Sequence, residues 1–335
     1  MKKKLIALAV AGAVTAPLAA QADVTIFGSL RPSINFVDPD DGDSTTAMAS
    51  NQSDIGVKGK EDLGGGLKAI FFIDFQFDES QPGDTPTGRD QYVGLQGGFG
   101  RLVFGSTSTS YKSSGAAIDP LWRTSAQARA TLNMLSGLHK GNGRHGGRMQ
   151  NMIRYDSPSF AGAKVVAWTG LDDSTQDNHE WGAGLHYKNG PFFGAVDYWD
   201  GNEDSGEDQA WKISGKVNFG NFAFYGAYEF DEGLISQVEG INTAHGLADF
   251  TAKDADFLFL GASAKFGNNL AFLEYGRRDD SDQGNDGTDS WVFALAHAFS
   301  KRTLVYAGYG SVNDSKVVAK DPGLDVATVG MVHKF

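Results

Sequence analysis

The chain has 335 residues, with 29 lysines and arginines against 41 aspartates and glutamates, and it contains no cysteine. The formal net charge of −12 offers no basic surface for nucleic acid, and the lack of cysteine excludes disulfides and thiolate metal sites. The 44 glycines and the aromatic fraction of 12%, together with little helical periodicity, favour β structure.

The first predicted element is an export signal over residues 1–22. Three lysines precede an almost wholly apolar stretch, Leu5–Ala20, and the small residues around Gln21 fit a signal cleavage site. A transmembrane anchor is the alternative, but the stretch contains Pro17 and is shorter than the roughly 20 residues that a spanning helix needs. We therefore expect an exported protein with a mature chain of residues 23–335.

Segments in which apolar and polar residues alternate follow along the chain. Val24–Phe36 has Val24, Ile26 and Ile34 on one face and polar residues on the other, where Phe27 is the exception. Leu67–Phe77 and Gln209–Phe219 alternate in the same way. This period of two is typical of a strand with one apolar and one wet face. The apolar face suits either the core of a soluble sandwich or the lipid side of a barrel.

The length and connection pattern of these segments favour the barrel. After residue 22 there is no run of eighteen apolar residues, and only a closed barrel pairs every strand amide inside hydrocarbon. Tight and long connections alternate, with the first long one predicted at residues 37–52, as in outer-membrane barrels. The sequence predicts an all-β protein, a transmembrane antiparallel β-barrel of 16 strands. The strands are expected to begin near residues 24, 53, 67, 89, 100, 150, 163, 180, 191, 209, 222, 256, 269, 289, 303 and 325.

A series of motifs resembles the trimeric general porins of Gram-negative bacteria. The motifs are, in chain order, Lys58-Gly59-Lys60-Glu61-Asp62-Leu63-Gly64-Gly65-Gly66-Leu67-Lys68-Ala69, Gly88-Arg89-Asp90-Gln91-Tyr92-Val93-Gly94-Leu95, Ile153-Arg154-Tyr155-Asp156-Ser157-Pro158, Tyr187-Lys188-Asn189-Gly190-Pro191-Phe192 and Val329–Phe335. Each motif is weak alone, but their order and spacing are specific. The resemblance implies a sixteen-strand barrel, a homotrimer in the outer membrane, and passive uptake of small hydrophilic solutes and ions.

The resemblance also implies a third loop that folds inward and narrows the channel. The candidate is residues 106–150, between the fifth and sixth predicted strands. A loop longer than about fifteen residues is unusual in a compact domain and often functional. Within it, the alanines and leucines of Thr124–Leu138 suggest a short helix. An ordinary surface loop is the alternative.

The predicted loop is basic, whereas related porins often oppose an acidic third loop to arginines on the wall. Between residues 106 and 150 the one acid is Asp119. The loop residues that we expect at the constriction are Asp119, Arg123, Arg129, Arg144 and Arg148, and the loop also holds Lys112 and Lys140. On the wall, alternation directs toward the lumen Arg31, Lys58, Lys60, Lys68, Asp74, Arg101, Arg154 and Lys164.

Basic side chains around a narrow, low-dielectric passage raise the local concentration of anions. The sequence therefore suggests an anion-preferring pore. The alternative is that several loop bases face solvent or pair with wall acids, which would leave selectivity weak. A substrate-specific channel, for instance for phosphate or organic acids, would share the barrel and differ by a binding site in the lumen.

Acidic clusters fall in the predicted outer loops, at residues 172–177, 200–208 and 279–289. Simple solvation explains them. A sharper hypothesis is loose binding of divalent cations that bridge to lipopolysaccharide phosphates, because such cations prefer oxygen ligands. No calcium-loop spacing is present. We otherwise expect no cofactor.

Enzyme motifs are missing from the sequence. It has no Gly-x-Ser-x-Gly elbow, no His-Glu-x-x-His and no phosphate loop, and its seven histidines show no metal-ligand spacing. The protein is therefore not expected to be an enzyme. A hydrolase that assembles Ser, His and Asp across barrel strands is the remote alternative.

Overall fold

The computed structural model describes residues 23–40, 42–129, 134–141, 146–171, 179–202, 208–235, 255–279, 287–313 and 323–335. The helical elements in these ranges are α1 (Ser110–Ile118) and a 3₁₀ turn at Gly137–His139. None of the helices in these ranges is long and apolar enough to cross a membrane. The predicted export signal, residues 1–22, lies outside the described residues, so its boundary with the mature chain stays a prediction.

Strands make up most of the described chain. Their bounds are β1 (Asp23–Leu30), β2 (Pro32–Pro39), β3 (Thr45–Ser50), β4 (Asp54–Gly64), β5 (Leu67–Gln76), β6 (Thr87–Gly97), β7 (Gly100–Ser108), β8 (Arg148–Asp156), β9 (Ala163–Gly170), β10 (Trp181–Asn189), β11 (Phe192–Asp200), β12 (Gln209–Phe219), β13 (Phe222–Glu232), β14 (Phe257–Phe266), β15 (Asn269–Arg278), β16 (Thr288–Ala298), β17 (Thr303–Asn313) and β18 (Leu324–Lys334).

These segments form a closed antiparallel barrel of sixteen strands. β1 and β2 are two parts of the first barrel strand, interrupted at Arg31, and β3 and β4 are two parts of the second. From β4 to β18 each segment pairs with the next in antiparallel register. β18 then pairs with both β1 and β2, which closes the sheet and removes its edges. The predicted fold class is confirmed.

The two faces of the wall differ as the alternation predicts. Outward residues such as Val24 and Ile26 are 58% and 68% exposed, whereas the inward Ser29 is 3% exposed. Along β13 exposed and buried positions alternate through almost the whole strand. A wall with an apolar outside and a polar inside is the arrangement of a barrel surrounded by lipid.

Tight turns join one end of the barrel strands. At two of them a glycine adopts the left-handed conformation, Gly190 between β10 and β11 with φ 54° and Gly220 between β12 and β13 with φ 59°. A side chain at such a position would be strained, so glycine suits these two-residue turns.

The strands after the second one begin within two residues of the predicted positions. The first long connection is shorter than predicted. Residues 37–52 were expected to form a loop, but β2 continues to Pro39 and β3 occupies Thr45–Ser50 because the two segments pair through Phe36 and Thr46. Arg148 belongs to β8 rather than to the loop before it.

Candidate channel constriction

The connection between β7 and β8 enters the barrel, as expected of the third loop. It begins with α1, whose N-terminus is capped by Thr109, because the Thr109 side chain accepts a hydrogen bond from Lys112 N at 3.2 Å. α1 lies against the inner face of β9–β13, and Tyr111 and Ile118 are fully buried there. The predicted helix at Thr124–Leu138 is wrong, since Thr124–Arg129 forms turns and the one α-helix of the described loop is Ser110–Ile118.

Apolar contacts fix the loop to one side of the lumen. Ile118, Met134 and Leu135 are fully buried and join a cluster that includes Phe259 of β14 and Phe272 of β15. Burying an aliphatic side chain of this size stabilises by about 1.5–3 kcal/mol. The inner face of these strands is therefore a docking surface for the loop rather than a wetted wall.

Buried polar contacts add to this attachment. Glu229 of β13 accepts hydrogen bonds from Tyr111 Oη at 2.9 Å and from Ser136 N at 3.1 Å. Lys212 Nζ lies 2.9 Å from His139 Nε2. Burial and the charge of Lys212 hold the pKa of His139 well below its ordinary value, which favours a neutral ring whose Nε2 accepts a hydrogen bond from the lysine.

The loop also contacts the first and last strands of the barrel. Ser125 Oγ is 2.8 Å from Tyr306 Oη of β17 and 2.6 Å from Thr328 Oγ1 of β18. Arg123 Nη2 lies 2.8 Å from Asp54 Oδ1 at the start of β4. The loop thus runs across the barrel interior from β9–β13 to the first strands, which is the geometry of a constriction.

Six basic side chains gather where the loop meets the wall of the first barrel strands. We call this group the constriction cluster. Its members are Arg31, Arg89, Lys112, Arg123, Arg129 and Arg148. All six are buried or largely buried in the protein. Burial, followed by repulsion from Arg129, Arg148 and Arg89, holds the pKa of Lys112 well below its ordinary value.

Three wall carboxylates are the acidic partners of this cluster among the described residues. Asp54 pairs with Arg123, Asp74 lies 3.0 Å from Arg89, and Asp90 lies 3.0 Å from Arg148. Arg31 Nε instead donates to Ser29 Oγ at 2.7 Å, and its Nη1 donates to the Arg123 carbonyl at 3.2 Å. Arg129 stacks on Trp122, with 3.7 Å from its Cζ to the ring centre. The cluster therefore holds more positive than negative charge.

Gln52, between β3 and β4, connects three of these arginines. Its side-chain oxygen accepts from Arg129 at 3.0 Å and from Arg89 at 3.3 Å, and its backbone carbonyl accepts from Arg123. An amide oxygen satisfies guanidinium donors without adding negative charge. Gln52 thus holds the arginines together without adding a further carboxylate to the three on the wall.

A second group of bases lies nearer the tight turns. Asp156 of β8 accepts hydrogen bonds from Arg101 at 2.7 Å, Arg154 at 3.0 Å and Lys164 at 3.1 Å. Lys60 pairs loosely with Asp23 at 3.4 Å, where both side chains are exposed. A single carboxylate thus faces three cations on this part of the inner wall.

The predicted site residues fall into these two groups. Arg31, Asp74, Arg123, Arg129 and Arg148 lie at the constriction cluster. Asp119 follows α1 and accepts hydrogen bonds from Leu121 N at 2.9 Å and Ala128 N at 3.0 Å. Those on the inner wall near the tight turns are Lys58, Lys60, Lys68, Arg101 and Arg154. Arg144 lies outside the described residues.

Two residues of the cluster, Arg89 and Lys112, were not among the predicted site residues, and neither was Gln52, which connects its arginines. Alternation along β6 would place Arg89 outward with Val93 and Leu95, and a register shift opposite Ile73 and Phe75 turns it inward instead. Lys112 follows the helix cap at Thr109. Nothing local marks Gln52, whose contacts with Arg89 and Arg129 join residues 37 and 77 positions apart.

Other predicted ligand sites remain expectations. The acidic clusters of the outer loops fall largely on residues 172–178, 203–207 and 280–286, which lie outside the described residues. Among the residues that the structure does describe, no group of three or more histidines and carboxylates is arranged to hold a metal ion.

Comparison with protein families gives a match over nearly the whole chain. Residues 7–316 match the family model described as Gram-negative porin. The major outer membrane protein P.IB of Neisseria meningitidis serogroup B (strain ATCC BAA-335 / MC58) is 30% identical over 366 residues, which cover 100% of both chains. The protein of the same name from Neisseria gonorrhoeae is 30% identical over 375 residues, again with 100% of both chains covered.

Solved structures share the fold. The anion-selective porin from Comamonas acidovorans is 22% identical and superposes with a TM-score of 0.77 over 94% of this chain and 100% of that one. Salmonella typhi OmpF, in its complex with daunomycin, is 15% identical, with a TM-score of 0.72 over 93% of this chain and 97% of that one.

Proposed function

The chain belongs to the Gram-negative porin family, and from this membership we propose that it is a passive outer-membrane channel in which the constriction cluster favours anions. The outer-membrane location and the porin function follow from the family. The anion preference rests on one observation, the gathering of six basic side chains with three carboxylates where the third loop crosses the lumen.

The size of the electrostatic effect supports this proposal. At an effective dielectric constant of about 20, one uncompensated charge attracts a monovalent anion about 8 Å away by roughly 2 kcal/mol. Salt weakens this attraction, since the screening length is about 10 Å at 0.1 M. A net charge of even one or two units at the cluster therefore suffices for a selectivity that is strongest in dilute salt. The Comamonas porin of the same fold is named as anion-selective, which agrees with this direction.

Reversal potentials in a planar bilayer test the proposal. With a gradient of potassium chloride across the membrane, we expect a potential whose sign shows that chloride crosses more readily than potassium, and whose magnitude grows when both solutions are diluted. A potential of the opposite sign would contradict the anion preference and leave the porin family assignment intact.

We propose a general pore, through which inorganic ions and sugars cross without having to bind, rather than a substrate-specific one, and a channel rather than a catalyst. Ser114 donates its hydrogen bond to the Asp197 carboxylate, and His186 Nε2 lies 2.9 Å from the same carboxylate. A catalytic serine would instead donate to the histidine, so these three residues do not form a catalytic triad. Conductance that rises with solute concentration without saturation is expected of the general pore.

The assembly and surface partners are proposals as well. The outward faces near the first and last strands are apolar, and we propose that they meet in a homotrimer. One related outer-membrane protein, OmpT of Vibrio cholerae, is described in a trimer form. Lipopolysaccharide is the proposed partner of the outer rim, with divalent cations between its phosphates and the acidic loops.

A further inference from the structure

Three aromatic rings form a ladder on the inner wall, where polar residues are expected. Phe27 of β1, Phe72 of β5 and Tyr92 of β6 stack in sequence. Ring-centre distances are 4.9 Å between Phe27 and Phe72 and 5.5 Å between Phe72 and Tyr92, and the last two rings are nearly parallel at 9°. Phe27 is also the residue that broke the alternation of its strand. Rings on a wetted wall gain nothing from lipid, so their presence there needs another explanation.

The ladder passes over β4, which lies between β1 and β5, because β4 has a glycine below the Phe27 ring. Phe27 pairs in register with Gly56 of β4, and a Cβ at Gly56 would lie 2.5 Å from Phe27 Cζ. Lys58, the next inward residue of β4, pairs in register with Phe72. Gly56 therefore leaves the space that allows the Phe27 and Phe72 rings to meet over β4.

A cation stands at each end of the ladder. Lys58 Nζ lies 5.2 Å from the centre of the Phe27 ring, and Arg101 Cζ lies 5.8 Å from the centre of the Tyr92 ring. Arg101 is also bound by Asp156. Lys58 is exposed and makes no ion pair with the other described residues, so its charge is available to a ligand.

Four of these side chains, Lys58, Phe72, Tyr92 and Arg101, border one cavity, whereas Phe27 is not part of its lining. The cavity has a volume of about 680 Å³, and its lining also includes Lys60 and the Asp23 carboxylate that lies 3.4 Å from it. A cavity of this size accommodates a benzene ring with a charged substituent. Aromatic rings pack edge-to-face on a planar ring, and ammonium and guanidinium groups bind a carboxylate.

We propose that this cavity, which we call the aromatic vestibule, is a binding site for small aromatic carboxylates. The ring of the solute packs against the edges of Phe72 and Tyr92, whose faces are stacked on each other, and its carboxylate meets Lys58. The site is separate from the constriction cluster and rests on the proposed function only in that solutes must enter the lumen. It would give organic anions with a planar ring a longer residence than acetate or chloride.

Binding to the detergent-solubilised protein tests this directly. Benzoate and acetate are titrated in parallel and followed by saturation-transfer NMR, with empty micelles as the blank. We expect benzoate to bind with a measurable dissociation constant and acetate to bind much more weakly. Equal affinity for the two carboxylates would overturn the proposal.

Matched variants locate the site. Phe72→Leu is expected to weaken benzoate binding about threefold to tenfold, because it removes a ring–ring contact. Lys58→Gln, at an exposed side chain, is expected to weaken it about twofold to fivefold. The controls are Phe75→Leu, whose exposed ring faces outward from the same strand and does not line the cavity, and Lys164→Gln, whose lysine binds Asp156 instead.

The controls are expected to leave benzoate binding unchanged. If Phe75→Leu weakens it as much as Phe72→Leu does, the vestibule is not the site. Because binding is measured without a membrane, the outcome is independent of selectivity. A protein that prefers potassium yet binds benzoate at Phe72 would contradict the proposed function and keep the vestibule. A protein that prefers chloride but binds benzoate and acetate equally would support the proposed function and overturn the vestibule.

Discussion

Gln52 is a neutral residue that binds the arginines of a narrow passage without reducing their positive charge. It adopts a left-handed backbone conformation with φ 64°, which is uncommon for a residue with a side chain. The conformation is compatible with the contacts by which the side chain reaches two arginines while its carbonyl accepts from a third. A carboxylate in its place would satisfy the same donors and cancel one unit of their charge.

Gln52→Glu is therefore expected to lower the chloride-to-potassium permeability ratio several-fold, because the new charge lies among the cluster arginines and changes the local field by about one elementary charge. The ratio is obtained from reversal potentials at 0.1 M salt or below. Gln209→Glu, the same substitution at the start of β12, serves as the control and should leave the ratio nearly unchanged. Equal effects of the two substitutions would show that the cluster does not set the selectivity.

Asp119 adds a pH dependence to the same passage. Burial raises the pKa of its carboxyl to about 6, although the N–H groups of Ala128 and Leu121 and the charges of Arg129 and Lys216 oppose the increase. Since this pKa lies above the ordinary value of 3.8, the neutral form suits the folded loop. The buried neutral carboxyl of Asp119 therefore stabilises the folded loop fully below about pH 4, and this stabilisation is lost as the pH rises through 6.

Protonation of Asp119 removes the one negative charge in the sequence of the loop. We expect the anion preference to increase between pH 7 and pH 5, and Asp119→Asn to show the high preference at both values. Reversal potentials of the two proteins at matched salt measure this difference. If the Asn variant retains the full pH dependence, another group titrates, for example a histidine.

At the scale of single elements, the strands could be predicted and the loop could not. The alternation of β12 or β13 is a local pattern, because the polarity of each residue indicates whether it faces the lumen or the outside. The segment Thr124–Arg129 is instead positioned by distant partners, since Ser125 binds Tyr306 and Thr328, 181 and 203 residues away. Its alanines suggested a helix because they pack against the inner wall, not because the backbone is helical there.

The helix of the loop did carry a local signal that sequence reasoning passed over. Threonine is a preferred N-cap residue, and α1 begins directly after Thr109, whose side chain accepts a hydrogen bond from Lys112 N. The signal is weak because α1 also contains Gly115, where a Cβ would lie 2.5 Å from the His139 ring. A glycine that allows close packing against a distant histidine cannot be distinguished from a helix breaker in the sequence alone.

The attachment of α1 to the wall is open to test at Ile118. Ile118→Ala removes a fully buried side chain between α1 and the inner wall and is expected to cost about 2–5 kcal/mol of loop attachment. Single-channel recordings should show frequent brief increases in conductance as the loop detaches, while the barrel keeps its thermal stability in detergent. Val165→Ala, on the outward face of β9, should record like the unaltered protein. Quiet currents in both variants would argue against the loop as the constriction.

At the scale of the whole molecule, the barrel explains why the first and last strands matter beyond closure. Their outward faces form an apolar groove that includes Ile34, Leu295, Ala307, Val329 and Met331. Ala307 is one of the small residues of its lining and is exposed on the single chain. A concave apolar surface of this kind suits the convex face of another barrel.

Ala307→Trp is expected to fill the groove and prevent close contact between barrels. Light scattering after size-exclusion chromatography in detergent should give a trimer for the unaltered protein and a monomer for this variant. Leu185→Trp, on the outward face of β10 across the barrel, should remain trimeric. A trimer in all three samples would place the contact elsewhere on the barrel.

We propose that solutes cross a water-filled lumen whose net positive constriction ranks them by charge. Liposome swelling with galacturonate, galactose and galactosamine is the sharpest test of this ranking, because the three solutes are similar in size and differ in charge. We expect galacturonate to enter fastest and galactosamine slowest, with rates that rise in proportion to concentration. Fastest entry of galactosamine, or no entry of any of the three, would show that the lumen does not conduct in this way.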